Sequence, residues 1–190
     1  LEIVTEPEIR SAQEAVAYLK TLHNLVRYLK ISTGNMEEGA FRCDVNISLR
    51  RTGATELGTR AEIKNLNSFR FVEKAILFEE KRQAELLENN QSVTQETRLY
   101  NPDRDCTQVM RTKEEAHDYR YFPDPDLLPV VITDDELKAI QQTLPELPWD
   151  RAKRLQTQHD LSAPDANTIA NHLEKANYYD AILAAQPQLD

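Results

Sequence analysis

A strict alternation of apolar and polar side chains in the first third of the chain constrains the fold more than any other feature of the sequence. In the segment 41–50, Phe41 begins the apolar series and Arg42 begins the polar one. Successive side chains of a strand point to opposite faces of a sheet, so the pattern predicts a strand with one buried and one solvated face. After a turn at 52–55, the segment 57–64 alternates in the same way. Together the segments predict a hairpin whose arms share one polar face.

The shared polar face would carry cations and carboxylates side by side, namely Arg42, Asp44, Arg60, Glu62 and Lys64. Such a face suits a site for a nucleotide and its metal, because carboxylates hold Mg²⁺ and cations neutralise phosphate oxygens. The alternative is a solvated face on which cross-strand ion pairs contribute roughly 0.2 to 1 kcal/mol each. Composition alone favours the second interpretation.

Helical periodicity surrounds the predicted hairpin. A capping box of Ser11 and Glu14 opens a helix predicted to end at residue 30. Asn67 or Ser68 caps a second helix, predicted to end near residue 88. Further strands are predicted at 1–5, 93–100, 106–112, 119–122 and 130–133, and further helices at 134–143, 149–159 and 164–185. The expected fold is α+β with an antiparallel sheet.

The character of the chain changes after residue 133, where strand patterns stop and helical ones follow. Pro145 and Pro148 form a stiff connector, since proline interrupts helices and restricts the residue before it. We therefore predict two domains, 1–144 and 145–190, of which the second is truncated. The chain begins with Leu1 and has no signal-peptide pattern, so we expect an upstream segment as well.

Two further groups of residues could bind ligands. Lys64 and Arg70 flank a strand-to-helix junction, where free backbone N–H groups favour anions; helix capping explains Asn67 and Ser68 but neither of these cations. Glu2 could ligate a hard cation, although acidic residues before a helix also stabilise its positive end. In 118–126 rings alternate with charges, which favours packing for the rings and leaves the role of Arg120 open.

Composition excludes several classes of protein. The net charge of −9 argues against a chain that binds nucleic acid over its whole surface, so any such contact must be local. Cys43 and Cys106 lack partners at metal-ligand spacing and are expected to be reduced. No apolar run approaches the roughly 20 residues of a membrane span.

Five blocks resemble, in order and spacing, the B-subunit family of bacterial and organellar aspartyl/glutamyl-tRNA amidotransferases: LEIVTEPEIRS, GNMEEGAFRCDVNISLR, GTRAEIKNLNSFRFVEKAI, QETRLY and EEAHDYRYFPDPDLLP. The resemblance implies an antiparallel cradle like the catalytic core of glutamine synthetase, followed by a helical domain. It also implies that this chain is an internal fragment, inactive alone, without the upstream third and the tRNA-binding tail of the full-length protein.

The resemblance implies a ligase that phosphorylates the carboxylate of Glu-tRNA(Gln) or Asp-tRNA(Asn) with ATP and amidates it with ammonia. Mg²⁺ would be the cofactor and ATP a substrate. The partners would be the misacylated tRNA, an amidase-type glutaminase that forms the A subunit, and the small C subunit, without a membrane. The location would be the bacterial cytoplasm, with an organelle not excluded.

The same resemblance assigns Glu2 and Asp44 as the metal ligands. Our own inference adds Arg42, Lys64 and Arg70 as contacts to ATP phosphates. Two alternatives stay open: a noncatalytic module that docks tRNA or partner subunits, and the related archaeal protein that acts on Glu-tRNA alone. No insertion of the kind expected for the archaeal protein occurs around 133–149.

Overall fold

A computed structural model describes residues 2–112 and 125–185. Its elements, in chain order, are α1 (Ala12–Tyr28), β1 (Val45–Ile47), β2 (Ala61–Lys64), α2 (Phe69–Glu88), β3 (Glu96–Asn101), β4 (Cys106–Thr112), α3 (Asp134–Thr143), α4 (Pro148–Gln158), α5 (Ala163–Ala170) and α6 (Leu173–Ala185). Two compact units divide them. Within the described ranges, the first unit comprises 2–23 and 34–112, and the second comprises 24–33 and 125–185.

The first unit contains a four-stranded mixed sheet in the order β1-β2-β3-β4. β1 and β2 are antiparallel, which confirms the predicted hairpin, and β3 and β4 are antiparallel as well. β2 and β3 are parallel, so the prediction of an antiparallel sheet was wrong at this pair. The reason is the intervening 20-residue helix α2, because a crossover of this length returns the chain in the same direction.

The core of the first unit lies between α2 and one face of the sheet. Ile63 and Val72 are fully buried there, and α1 contributes Ala12. Ser68 rather than Asn67 caps α2, since its Oγ accepts a hydrogen bond from the Phe71 N–H at 3.1 Å. Ser11 caps α1 as expected. Both long helices therefore begin where the capping signals predicted.

Several predicted strands are shorter than expected or do not form. The alternating segment 41–50 is a strand only at Val45–Ile47. Beyond it, the buried amide of Gln83 accepts from the Leu49 N–H at 3.1 Å and donates to the Ile47 carbonyl at 3.2 Å, so a side chain of α2 satisfies groups that a strand would otherwise pair. Residues 2–5 and 130–133 form no strand, and neither segment pairs with a strand in the described ranges. The predicted strand 119–122 lies outside the described residues.

The second unit is helical. The prediction of α3 is confirmed at 134–143, where Thr133 and Glu136 form a capping box. The predicted helix 164–185 is two helices, α5 and α6, which are separated at Asn171. None of the helices in the described ranges combines the length and apolar character needed to cross a membrane. The domain boundary at 144–145 stays a prediction.

Polar side chains hold the second unit together around Arg151, which is 7% exposed. Arg151 donates to Glu146 at 3.1 Å, to the Tyr28 hydroxyl at 3.2 Å and to Asn177 at 2.9 Å. Tyr28 in turn donates to the Glu146 carbonyl at 2.8 Å. This network ties the end of α1 to α4 and α6 within the unit.

Candidate functional site

Three charged side chains meet on the face of the sheet opposite α2. Lys64 Nζ lies 2.7 Å from Asp44 Oδ2 and 3.2 Å from Glu62 Oε1. Asn46 pairs with Glu62 across β1 and β2, and Asp44 lies two residues before Asn46, so the pleat directs these side chains to one face. The predicted clustering of Asp44, Glu62 and Lys64 is therefore confirmed. We call these residues the acid–lysine cluster.

The neighbouring strand β3 also contacts the acid–lysine cluster. Thr97 on β3 donates to Glu62 Oε2 at 2.9 Å, which leaves Oε1 directed at Lys64. The hydrogen bond to Asp44 raises the pKa of Lys64 above its ordinary value of 10.5, burial opposes that change, and the bond to Glu62 adds to it. Lys64 is therefore positively charged at neutral pH. Two carboxylates and one ammonium give the cluster a charge of −1.

The end of β2 turns sharply beyond Lys64. Asn65 has a φ of 66°, a left-handed conformation that Asn adopts more readily than most residues, and its amide donates to the Tyr100 carbonyl at 3.0 Å. This bond joins the ends of the parallel strands β2 and β3. The junction therefore fixes the point from which Lys64 projects.

The other predicted site residues lie apart from the acid–lysine cluster. Arg70, in the first turn of α2, is exposed, and its charge acts on Tyr100 and Asp105. The attraction of Arg70 opposes the burial and the Asp105 bond that raise the pKa of Tyr100 to about 12. Arg42 is exposed and donates to the Gly39 carbonyl at 3.2 Å. Of the three cations predicted to contact phosphates, Lys64 belongs to the acid–lysine cluster, and Arg42 and Arg70 do not.

Glu2 is exposed and makes no hydrogen bond or ion pair with another described residue. Among residues 2–112 and 125–185, no group of three or more His, Cys, Asp or Glu residues could by itself hold a metal ion. The assignment of Glu2 and Asp44 as metal ligands stays a prediction. The segment 118–126, including Arg120, falls mostly outside the described residues.

Glu62 belongs to the acid–lysine cluster; its place on the polar face was predicted, but it was not assigned as a metal ligand. The signal was present, because Glu62 lies two residues before Lys64 on one strand and therefore shares its face. That pattern does not indicate how far the side chain is buried. The Glu62 side chain is 16% exposed, against 49% for Asp44. Glu62, the more buried of the two carboxylates in the cluster, is therefore the one that was not assigned as a metal ligand.

The Cys43 thiol next to the cluster is chemically quiet. Burial, with a smaller contribution from the Asp44 carboxylate, raises its pKa to about 11. Since the thiolate is the reactive form of cysteine, Cys43 is protonated at neutral pH and serves as a small apolar side chain packed against the core.

Comparison with known proteins identifies the family to which this chain belongs. Residues 1–138 match the family described as GatB/GatE catalytic domain. The B subunit of the aspartyl/glutamyl-tRNA(Asn/Gln) amidotransferase of Coxiella burnetii is 62% identical over 183 residues, which cover 96% of this chain and 38% of that protein. The corresponding protein of Pseudomonas putida is 60% identical over 183 residues, with the same coverage of 96% and 38%. That of Thioalkalivibrio sulfidiphilus is 58% identical over 185 residues, which cover 97% of this chain and 39% of that protein. The chain therefore spans about two fifths of the length of these curated relatives.

Proposed function

Because this chain belongs to the GatB/GatE catalytic domain family, we propose that it forms part of the site at which a tRNA amidotransferase activates a carboxylate with ATP. The relatives are named as the B subunit of an aspartyl/glutamyl-tRNA(Asn/Gln) amidotransferase. In the proposed reaction, ATP phosphorylates the side-chain carboxylate of Glu or Asp on a misacylated tRNA. Ammonia then displaces phosphate and forms the amide, so that the bond to phosphate breaks as the carbon–nitrogen bond forms.

The observation that carries this proposal is the acid–lysine cluster. A charge of −1 repels ATP, whereas one divalent cation added to Asp44 and Glu62 would change the local charge to +1. Two carboxylates are a suitable protein contribution for Mg²⁺, which retains waters and takes phosphate oxygens for its remaining positions. The donor set therefore fits a magnesium–nucleotide site, with Glu2 proposed as a further ligand. When bound, the metal would neutralise charge on the transferred phosphoryl group.

Lys64 would change partners as part of this function. In the present structure its ammonium occupies the space between two carboxylates. A divalent cation at those carboxylates would release Lys64 to contact a phosphate oxygen, where a positive charge stabilises the transition state. Arg42 and Arg70, both exposed, are proposed as further contacts to the phosphates.

The proposed assembly includes the misacylated tRNA, an amidase-type glutaminase as the A subunit, which supplies ammonia, and the small C subunit. We propose a cytoplasmic location in bacteria, where translation takes place. The open sheet face would need cover by another part of the assembly, because an acyl phosphate exposed to water hydrolyses.

The test is Asp44→Asn in the full-length protein, assembled with its partners. The matched control is Asp103→Asn, at an exposed aspartate of the β3–β4 turn. Amidation is measured with ammonium chloride as donor, so that glutaminase activity does not enter the result. We expect Asp44→Asn to lower Mg²⁺-dependent ADP release and amide formation by about 100-fold, the upper end of the loss seen when a residue that supports a metal ligand is replaced, and the control to retain both.

Near-normal amide formation by Asp44→Asn at saturating Mg²⁺ would remove Asp44 from the active site. If instead the variant keeps its ATP chemistry but loses binding of tRNA or of a partner protein, the polar sheet face is a docking surface. Sedimentation of the assembled complex, measured on the same samples, separates these results.

A further inference from the structure

Thr97 on β3 is a buried residue whose hydroxyl contacts the acid–lysine cluster. Its side chain is 0% exposed, and its Oγ1 donates to Glu62 Oε2 at 2.9 Å. The parallel register places Thr97 directly beside Glu62, so the bond joins β2 and β3 on the face of the sheet that carries the cluster. The other oxygen of Glu62, Oε1, lies 3.2 Å from Lys64. The two oxygens of Glu62 therefore have different partners, and the bond from Thr97 fixes how the carboxylate is turned.

The part of β3 that carries Thr97 is secured from the opposite face of the sheet. Its neighbours along the strand, Glu96 and Arg98, are both buried and form an ion pair with each other. The Nε of Arg98 also lies 3.3 Å from the buried carboxylate of Glu79 on α2. Because successive side chains of a strand point to opposite faces, these contacts hold the strand while the Thr97 hydroxyl remains directed at the cluster. Thr97 is therefore a rigidly placed donor to Glu62.

A carboxylate held in this way differs as a metal ligand from one that turns freely. Mg²⁺ requires nearly ideal octahedral geometry and retains several waters. Ca²⁺ takes about six to eight oxygens in a flexible arrangement, and a carboxylate can bind it through one oxygen or through both. The choice between the two ions thus depends on the number and the freedom of the ligand oxygens. With Oε2 engaged by Thr97, Glu62 presents Oε1 to the cluster, which favours the ion that needs fewer oxygens from the protein.

We propose that Thr97 is a positioning residue that makes Glu62 a one-oxygen ligand and thereby favours Mg²⁺ over Ca²⁺ at the acid–lysine cluster. This role rests on the proposed function, in which Asp44 and Glu62 hold a divalent cation. The alternative is a hydroxyl that is bonded only because buried polar groups generally are. Thr107 is an example of that alternative. It is 4% exposed, and its hydroxyl donates at 3.0 Å to Glu79, on the face of the sheet away from the cluster.

The test measures the binding of Mg²⁺ and of Ca²⁺, each alone, to the full-length protein in its assembled complex by titration calorimetry. Thr97→Val removes the hydroxyl and keeps the shape, whereas Thr97→Ser keeps the hydroxyl and removes the methyl group. The matched control is Thr107→Val, which removes a similarly buried hydroxyl from the other face of the sheet. Asp44→Asn identifies the part of the signal that comes from the cluster. Urea unfolding of every variant reports the loss of stability separately.

We expect Thr97→Val to weaken Mg²⁺ binding about tenfold, the lower end of the loss seen when a residue that supports a metal ligand is replaced. Its Ca²⁺ binding should be nearly unchanged, because a released Glu62 can offer both oxygens. We expect Thr97→Ser and Thr107→Val to keep the preference of the unmodified protein for Mg²⁺.

An unchanged preference in Thr97→Val, or equal losses of Mg²⁺ and Ca²⁺ affinity, would overturn the proposal and leave Thr97 with a structural role. A lost preference in Thr97→Ser or in Thr107→Val would also overturn it, because packing rather than the Thr97 hydroxyl would then be the cause. If Asp44→Asn leaves Mg²⁺ binding intact, the metal site of the proposed function fails as well. If Asp44→Asn removes that binding while Thr97→Val keeps the preference, the role of Thr97 alone fails.

Discussion

The buried carboxylate of Glu79 offers the sharpest test of how α2 is fastened to the sheet. Glu79 is 0% exposed. It accepts from Gln83 at 3.0 Å and from Thr107 at 3.0 Å, and it lies 3.3 Å from the Nε of Arg98. Arg82 adds three more hydrogen bonds from the same helix, two from Nε and one from Nη2. Replacing Glu79 with alanine would therefore leave several buried donors without an acceptor.

The size of the loss follows from what remains after the change. Removing one member of a buried ion pair costs about 3 to 5 kcal/mol when the other charge is left alone. Arg98 would keep Glu96 and the Thr107 carbonyl as partners. We therefore expect Glu79→Ala to lower the free energy of unfolding by about 3 kcal/mol, the lower end of that range. Glu79→Gln, which keeps the shape but not the charge, should cost about 2 kcal/mol.

The assay is urea unfolding of the full-length protein at several pH values. Burial raises the pKa of Glu79, but the bonds to Arg82 and Gln83 and the charges of Arg82 and Arg98 outweigh it, so the pKa lies below its ordinary value of 4.5. A lowered pKa stabilises the fold above pH 4.5, and this contribution is lost as the pH falls towards the folded value. The gap between the unmodified protein and Glu79→Gln should therefore narrow in acid. A cost below about 1 kcal/mol for Glu79→Ala at pH 7, typical of an exposed pair, would refute the reasoning.

Three further changes test other parts of the structure. Lys64→Met should lower turnover with ATP at least about tenfold. It should change the free energy of unfolding, measured with urea, by under about 1 kcal/mol, because the ion pairs of Lys64 are partly exposed. Unchanged kinetics would return Lys64 to a structural role. Asn65→Ala should be about 1 to 2 kcal/mol less stable than Asn65→Gly, since only glycine relieves the φ of 66°, and equal unfolding midpoints would contradict this. Tyr28→Phe should destabilise the protein by about 1 to 3 kcal/mol, because Arg151 loses a buried partner; thermal unfolding measures the change, and Tyr18→Phe, at a half-buried tyrosine of the same helix, is its control.

Elements whose determinants lie close together in the chain were predictable from the sequence. The caps at Ser11 and Ser68 and the helix at 134–143 were predictable because their determinants lie within a few residues of each other. The parallel pairing of β2 with β3 was missed although its signal was present, because the predicted helix between the two strands is a crossover long enough to return the chain in the same direction. The break at Asn171 was missed because neither glycine nor proline marks it in the sequence.

The same distinction explains which site residues could be found. Asp44 and Lys64 are 20 residues apart, yet the hairpin brings them to 2.7 Å, and alternation predicts that both lie on its polar face. The place of Arg70 beside Tyr100 and Asp105 depends on how α2 packs on the sheet, which no period in the sequence specifies. The polar network of Arg151 is of this second kind, because its partners Tyr28 and Asn177 lie far away in the chain. Function that rests on a local hairpin is therefore readable from the pattern of residues, whereas function that rests on a long-range polar core requires the fold.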